Sequence, residues 1–86
     1  MRREDVFPKF SDGFYADVRI IGYHLRLFAH TSEASWVSSV YSVPLRMWIC
    51  KDRLAGNAQQ AKTEAEDIAR QELPGKYPIE WRAVAA

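Results

Sequence analysis

The order of residues predicts an α+β fold. It is a three- to four-stranded antiparallel sheet with one helix in the C-terminal half packed on one face, followed by a short final strand, in the order β-β-β-α-β. Two observations carry this. The stretch His24-Leu25-Arg26-Leu27-Phe28-Ala29-His30 alternates with period two, the signature of a half-buried strand. Between Ala58 and Leu73 the apolar residues instead recur at helical spacing, closed by Pro74 and Gly75.

Residues 1–13 mix charges with Phe7, Pro8, Phe10 and Gly13, and read as an N-terminal arm ahead of a single domain at residues 14–86. Phe14 to Ile21 is rich in aromatic and β-branched side chains and forms the first strand. Gly22 either turns the chain into a hairpin or kinks one long strand. Tyr23 to His30 is the second strand, and the polar Thr31–Ser35 segment returns the chain antiparallel. Trp36 to Val43 is the third strand. Pro44 has no N–H to give a ladder, so it marks a turn, a bulge or an edge before Leu45 to Cys50.

Asn57, with Gln60 three residues later, is a helix N-cap with its capping-box partner. The helix then runs from Ala58 to Leu73, and its inner stripe is Ala61, Ala65, Ile68, Ala69 and Leu73. Most of that stripe is methyl groups, so the helix can approach a sheet closely. The final strand comes from the last residues, with Ile79, Trp81 and Ala83 on one face and Glu80, Arg82 and Val84 on the other.

At 86 residues the chain has room for one core, burying roughly 60% of the surface its unfolded form exposes. A content of 48% hydrophobic and 13% aromatic residues is enough to form one, which argues against disorder. Cys50 stands alone, which excludes an internal disulfide and a cysteine zinc site and fits a reducing compartment. The start "MRREDVFPKF" lacks an apolar signal core, and no apolar run nears the roughly 20 residues that span a bilayer. The expected location is cytoplasmic, with no membrane partner. Residues 18–53 carry five basic side chains against two acidic ones, whereas residues 57–80 carry three against five. The middle of the chain is basic and the helical region acidic.

Catalytic chemistry finds no purchase in the sequence. His24 and His30 lie six residues apart on one strand face, about 20 Å at about 3.3 Å per residue, too far to share a metal ion. Cys50 reads as a small half-buried strand residue. Glu64, Glu66 and Asp67 read as a solvated helix face, with Glu66 paired to Arg70. The glycines are isolated, so no phosphate loop exists. The chain is expected to be no enzyme and to hold no metal or cofactor.

If Leu25, Leu27, Leu45, Met47 and Ile49 face the helix, the opposite face carries His24, Arg26, Phe28, His30, Arg46 and Trp48. These six are the candidate binding face. Aromatic rings and arginines together anchor protein interfaces, so the first expectation is a non-enzymatic interaction module. It would self-associate as a homo-oligomer, or bind a protein partner, through this open face or through a sheet edge. The alternative is a nucleic-acid-binding module that stacks single-stranded bases on the same face. A third reading closes the face internally with Phe7, Phe10 and Phe14.

Overall fold

The computed structural model describes residues 12–84. All of the expected arm except Asp12 and Gly13 lies outside the described residues. The chain forms β1 (Phe14–Ile20), β2 (Tyr23–Ser32), β3 (Ser35–Ser42), β4 (Met47–Ala55), α1 (Ala58–Glu72) and β5 (Arg82–Ala83). The strands make one antiparallel sheet in the order β4-β3-β2-β1-β5. The first four form a meander, and the chain then crosses one face as α1 and returns to the far side of β1. Among the described residues no helix is long and apolar enough to cross a membrane.

Each turn of the meander has its own chemistry. Gly22, at φ 82, lets Ile20 pair with Tyr23, so the segment is a hairpin. β2 extends past His30 to Ser32, and the turn proper is Glu33-Ala34, with both residues left-handed at φ 52 and 68. That is the primed geometry that suits the twist of a hairpin, here occupied by two residues that have a Cβ. The third turn is wider. The Arg46 N–H donates to the Val43 carbonyl at 3.3 Å, and Arg46 itself is left-handed at φ 54.

The third turn corrects the expected facing of β4. Leu45 sits in the turn and is 66% exposed, and Met47 is exposed as well, so neither meets the helix; Ile49 does. β4 also carries two irregularities. Lys51 and Asp52 together oppose Ser39, and Ile49 and Cys50 together oppose Val40.

The core joins Ala16 and Val18 of β1, Leu25 and Leu27 of β2 and Val40 of β3 to Ala65, Ala69 and Leu73 of the helix. Ala61, Ala65 and Ala69 have no exposed surface. The helix therefore lies flush on the middle strands, and the buried Ser38 hydroxyl donates to the Ala61 carbonyl at 2.6 Å. Its start follows the sequence: the Gln60 N–H donates to Asn57 Oδ1 at 2.8 Å, and the Gln60 side chain accepts from the Gly56 N–H at 2.8 Å.

Beyond Leu73 the tail runs back along the helix. The Tyr77 hydroxyl donates to the Leu73 carbonyl at 2.6 Å, and Trp81 Nε1 donates to Glu66 Oε2 at 2.8 Å. Tyr77, Ile79 and Trp81 pack against the core. Among the described residues of the expected final strand only Arg82 and Ala83 are paired, and Ala83 is exposed. Gly13 anchors the end of this ladder, accepting from the Val84 N–H at 2.9 Å. It is at φ 92, and a Cβ there would lie 2.3 Å from the Ala29 carbonyl oxygen.

Two stability changes follow. Asn57→Ala removes the cap and should cost about 1 kcal/mol in urea unfolding, while Asn57→Asp should stay near the parent. Replacing Glu33-Ala34 by Asn-Gly puts residues that tolerate positive φ in the second turn. It should raise stability by about 1 kcal/mol with an unchanged denaturant slope.

Candidate functional site

Strand register places His24, Arg26, Phe28 and His30 on the side of β2 away from the helix, with Tyr15, Asp17 and Arg19 of β1 beside them. Val37, Ser39 and Tyr41 of β3 and Trp48 of β4 complete this face. Five of the six candidate residues therefore share one side. Arg46 does not join them, because it belongs to the third turn rather than to β4.

The face divides into two zones. At the β1 side, Asp17 accepts from Arg26 Nε and Nη2, both at 2.9 Å, while His24 Nε2 lies 2.7 Å from the same carboxylate. The Arg26 guanidinium also stacks over the Tyr15 ring, 4.9 Å from its centroid. Burial alone would raise the Asp17 pKa, but the bonds from Arg26 and His24 outweigh it and hold the carboxyl below its ordinary value. Asp17 is thus a charged, paired group.

The central zone is closed. Phe28 and His30 are 3% and 2% exposed, as buried as Leu25 at 3% on the core side. Ser39 and Val37 beside them are buried too. The Phe28 ring meets His30 edge-on at 6.4 Å and Trp48 at 5.9 Å, and Trp48 meets Tyr41 at 5.1 Å. This corrects the expectation that the face lies open through its centre. Of the rings invoked to cover it, Phe7 and Phe10 lie outside the described residues. Phe14 turns to the helix side, stacked on Trp36 at 6.3 Å with Lys62 Nζ 3.8 Å from its ring centre.

His30, Ser39 and Asp52 look like the parts of a nucleophile relay, but their geometry is wrong for one. Ser39 Oγ at 3.2 Å and Asp52 Oδ1 at 3.6 Å both approach the same nitrogen, His30 Nε2, whereas a relay needs them on opposite nitrogens. Ser39 is also fully buried and accepts from the Asp52 N–H at 2.9 Å. Its role is to hold the bulge. Burial pushes the Cys50 thiol up, the reverse of what a nucleophilic thiol needs, and its sulfur rests 3.7 Å from the Ser38 carbonyl. Among the described residues no group of three His, Cys, Asp or Glu side chains could hold a metal ion.

A second feature lies at the sheet's edge. The β1–β5 ladder has two rungs, Phe14 with Ala83 and Tyr15 with Arg82. Past them the tail leaves the strand, and a cleft of about 400 Å³ opens between Tyr15, Ala16, Asp17 and Arg19 on one wall and Pro78, Glu80 and Arg82 on the other. Gly13 accepts from the tail through its outward carbonyl, so by alternation Tyr15, Asp17 and Arg19 also aim their backbone groups to this side. At the Arg19 end of the cleft the strand runs into an apolar end of the molecule. Ile20, Tyr23 and Ile21, the last 98% exposed, lie beside Leu45 and Met47 of the third turn, since Val43 N donates to His24 O and Leu25 pairs with Ser42.

No family model matches this chain, and the comparisons with curated proteins and with solved structures also return no match. The geometry carries the functional reading. Tyr15, Asp17, Arg19, Pro78, Glu80 and Arg82 were not in the candidate set. The signal in the sequence is the matching alternation of Tyr15-Asp17-Arg19 and Pro78-Glu80-Arg82, with Pro78 unable to donate to a ladder; the observed pairing already ends at Arg82.

His30 gives this face a pH dependence. Burial lowers its pKa from the ordinary 6.5, against the opposing pull of the Thr31 backbone, Asp52 and Asp12. The unfolded chain therefore binds the proton more readily than the fold does, so stability is full above 6.5 and falls as pH drops below it. Urea unfolding of the parent should weaken between pH 8 and pH 5, and His30→Gln should show a smaller difference between the two.

Proposed function

We propose that the protein is a non-enzymatic interaction module that takes a segment of a protein partner, in extended conformation, along the outer edge of β1. The observation that supports this is the early end of the β1–β5 ladder. Among the described residues, β1 beyond Tyr15 has no strand partner on that side, and Asp17 and Arg19 line the cleft of about 400 Å³ that opens there. Unpaired strand edges are templates for strand addition, in which main-chain bonds supply affinity and side-chain pockets supply choice. The exposed Ile20 and Ile21 continue the surface beyond the cleft and add an apolar contact.

Other modes of association have less behind them. A sheet-to-sheet dimer through β4 would need a straight edge, but that strand is bent by its two irregularities and by Asp52 at φ 55. Stacking of single-stranded bases would need open rings, and Phe28 and His30 are the most buried members of the candidate face.

The test separates backbone from side chain at one residue. Arg19→Pro removes an outward N–H from an edge where proline is tolerated, while Arg19→Ala keeps that N–H and removes the charge. With the capped probe peptide Val-Ser-Val-Ser-Val, the parent and Arg19→Ala should bind and shift the Asp17 and Arg19-site amides in a nitrogen-15 NMR titration. Arg19→Pro should lose binding while melting near the parent. Equal binding by both variants would overturn strand addition.

A further inference from the structure

Resting on that reading, we infer that the segment received by the β1 edge is acidic, with carboxylates at alternate positions and β-branched residues between them. The argument begins with Asp17. Its carboxylate lies beside the cleft, but both oxygens are engaged by Arg26 and one of them also by His24, so its charge is balanced within the sheet. The ionised side chains left along the cleft are Arg19, Glu80 and Arg82, two positive and one negative. All three are exposed.

The surroundings reinforce that sign. No Asp or Glu occurs from residue 18 to 32, or from residue 34 to 51. The strand and turns around the open end of the cleft therefore bring arginine and no carboxylate. A segment entering there meets Arg19 first.

Strand geometry then fixes the pattern. Residues directly opposite one another in a ladder share a sheet face, so the positions opposite Asp17 and Arg19 project on the side away from the helix. A carboxylate opposite Arg19 meets that guanidinium; the next, two residues along, stands opposite Asp17, whose charge Arg26 and His24 already balance, and is next in line to Arg82, which pairs with Tyr15. The intervening positions project to the helix side, where Ile79 and Trp81 pack. Apolar β-branched side chains suit that side. The stretch from Ala16 to Ile20 is five residues, about 17 Å at about 3.4 Å per residue, which sets the length of the bound segment.

The experiment uses three capped five-residue peptides, Val-Glu-Val-Glu-Val, Val-Ser-Val-Ser-Val and Val-Lys-Val-Lys-Val, titrated into the full chain by NMR, so that the second and fourth residues stand opposite Asp17 and Arg19. At about 50 mM salt the Glu peptide should bind about tenfold more tightly than the Ser peptide, and the Lys peptide more weakly than both. That advantage should shrink at about 300 mM salt, because exposed charge pairs are screened. Arg19→Glu should reverse the order in favour of the Lys peptide. Arg82→Glu should move it the same way, which keeps the test independent of any effect on β1. If the three peptides bind alike, strand addition stands and acid selection is overturned; if none binds, both are overturned.

Discussion

The tail is fastened to the helix before it reaches the sheet, and much of the molecule's remaining surface chemistry follows from that. Tyr77 bonds the last carbonyl of the α1 region and Trp81 bonds Glu66, so residues 77–81 are drawn against the helix layer. Ile79 and Trp81 then add to the core bulk that the Ala-rich helix stripe lacks. The cost falls on the edge of the sheet. Held out to one side, the described tail pairs with β1 at Arg82 and Ala83 alone, and the Gly13 contact, with no space for a Cβ, locks that short ladder in place.

The two edges of the sheet are therefore treated differently. Along β4 the outer row of backbone groups is long, but it is bent twice and carries Lys51, Asp52 and Arg53. Asp52 holds a left-handed conformation that the Ser39 hydroxyl stabilises by accepting its N–H. Such an edge resists adding another strand. Along β1 the strand shows no register shift, so its outward groups keep a regular spacing, and the tail fences only one end. Strand addition is thus discouraged at one edge and left available at the other.

Most of the fold was legible because the sequence states its periods openly. Leu25-Leu27 alternation, the Ala61-Ala65-Ala69 spacing and the Asn57–Gln60 cap each act locally, and each is realised. Leu45 and Arg46 misled because the alternation runs unbroken through Leu45-Arg46-Met47-Trp48 in the sequence, whereas the strand begins only at Met47. Alternation also says which side a residue takes but not what lies above it, so nothing in the pattern separates Phe28, at the closed centre, from His24 at its margin. The cleft was hidden for a third reason. It depends on pairing Tyr15 with Arg82, a contact set by the course of the whole chain.

What is spent elsewhere in the fold decides what this surface can do. The groups with reactive potential are committed to structure: Asp17 to Arg26 and His24, His30 to a buried bond with Ser39, and Cys50 to a thiol raised by burial. Chemistry that needs a free base or nucleophile has little to work with among them. The Asp17 pairing matters twice over, because an unpaired carboxylate at that position would offset Arg19 and leave the cleft without a preferred sign. By spending Arg26 on Asp17, the sheet keeps Arg19 and Arg82 as the excess. On the proposed reading, recognition falls to a row of main-chain groups that any extended segment can satisfy, and the side chains beside it choose among segments by charge.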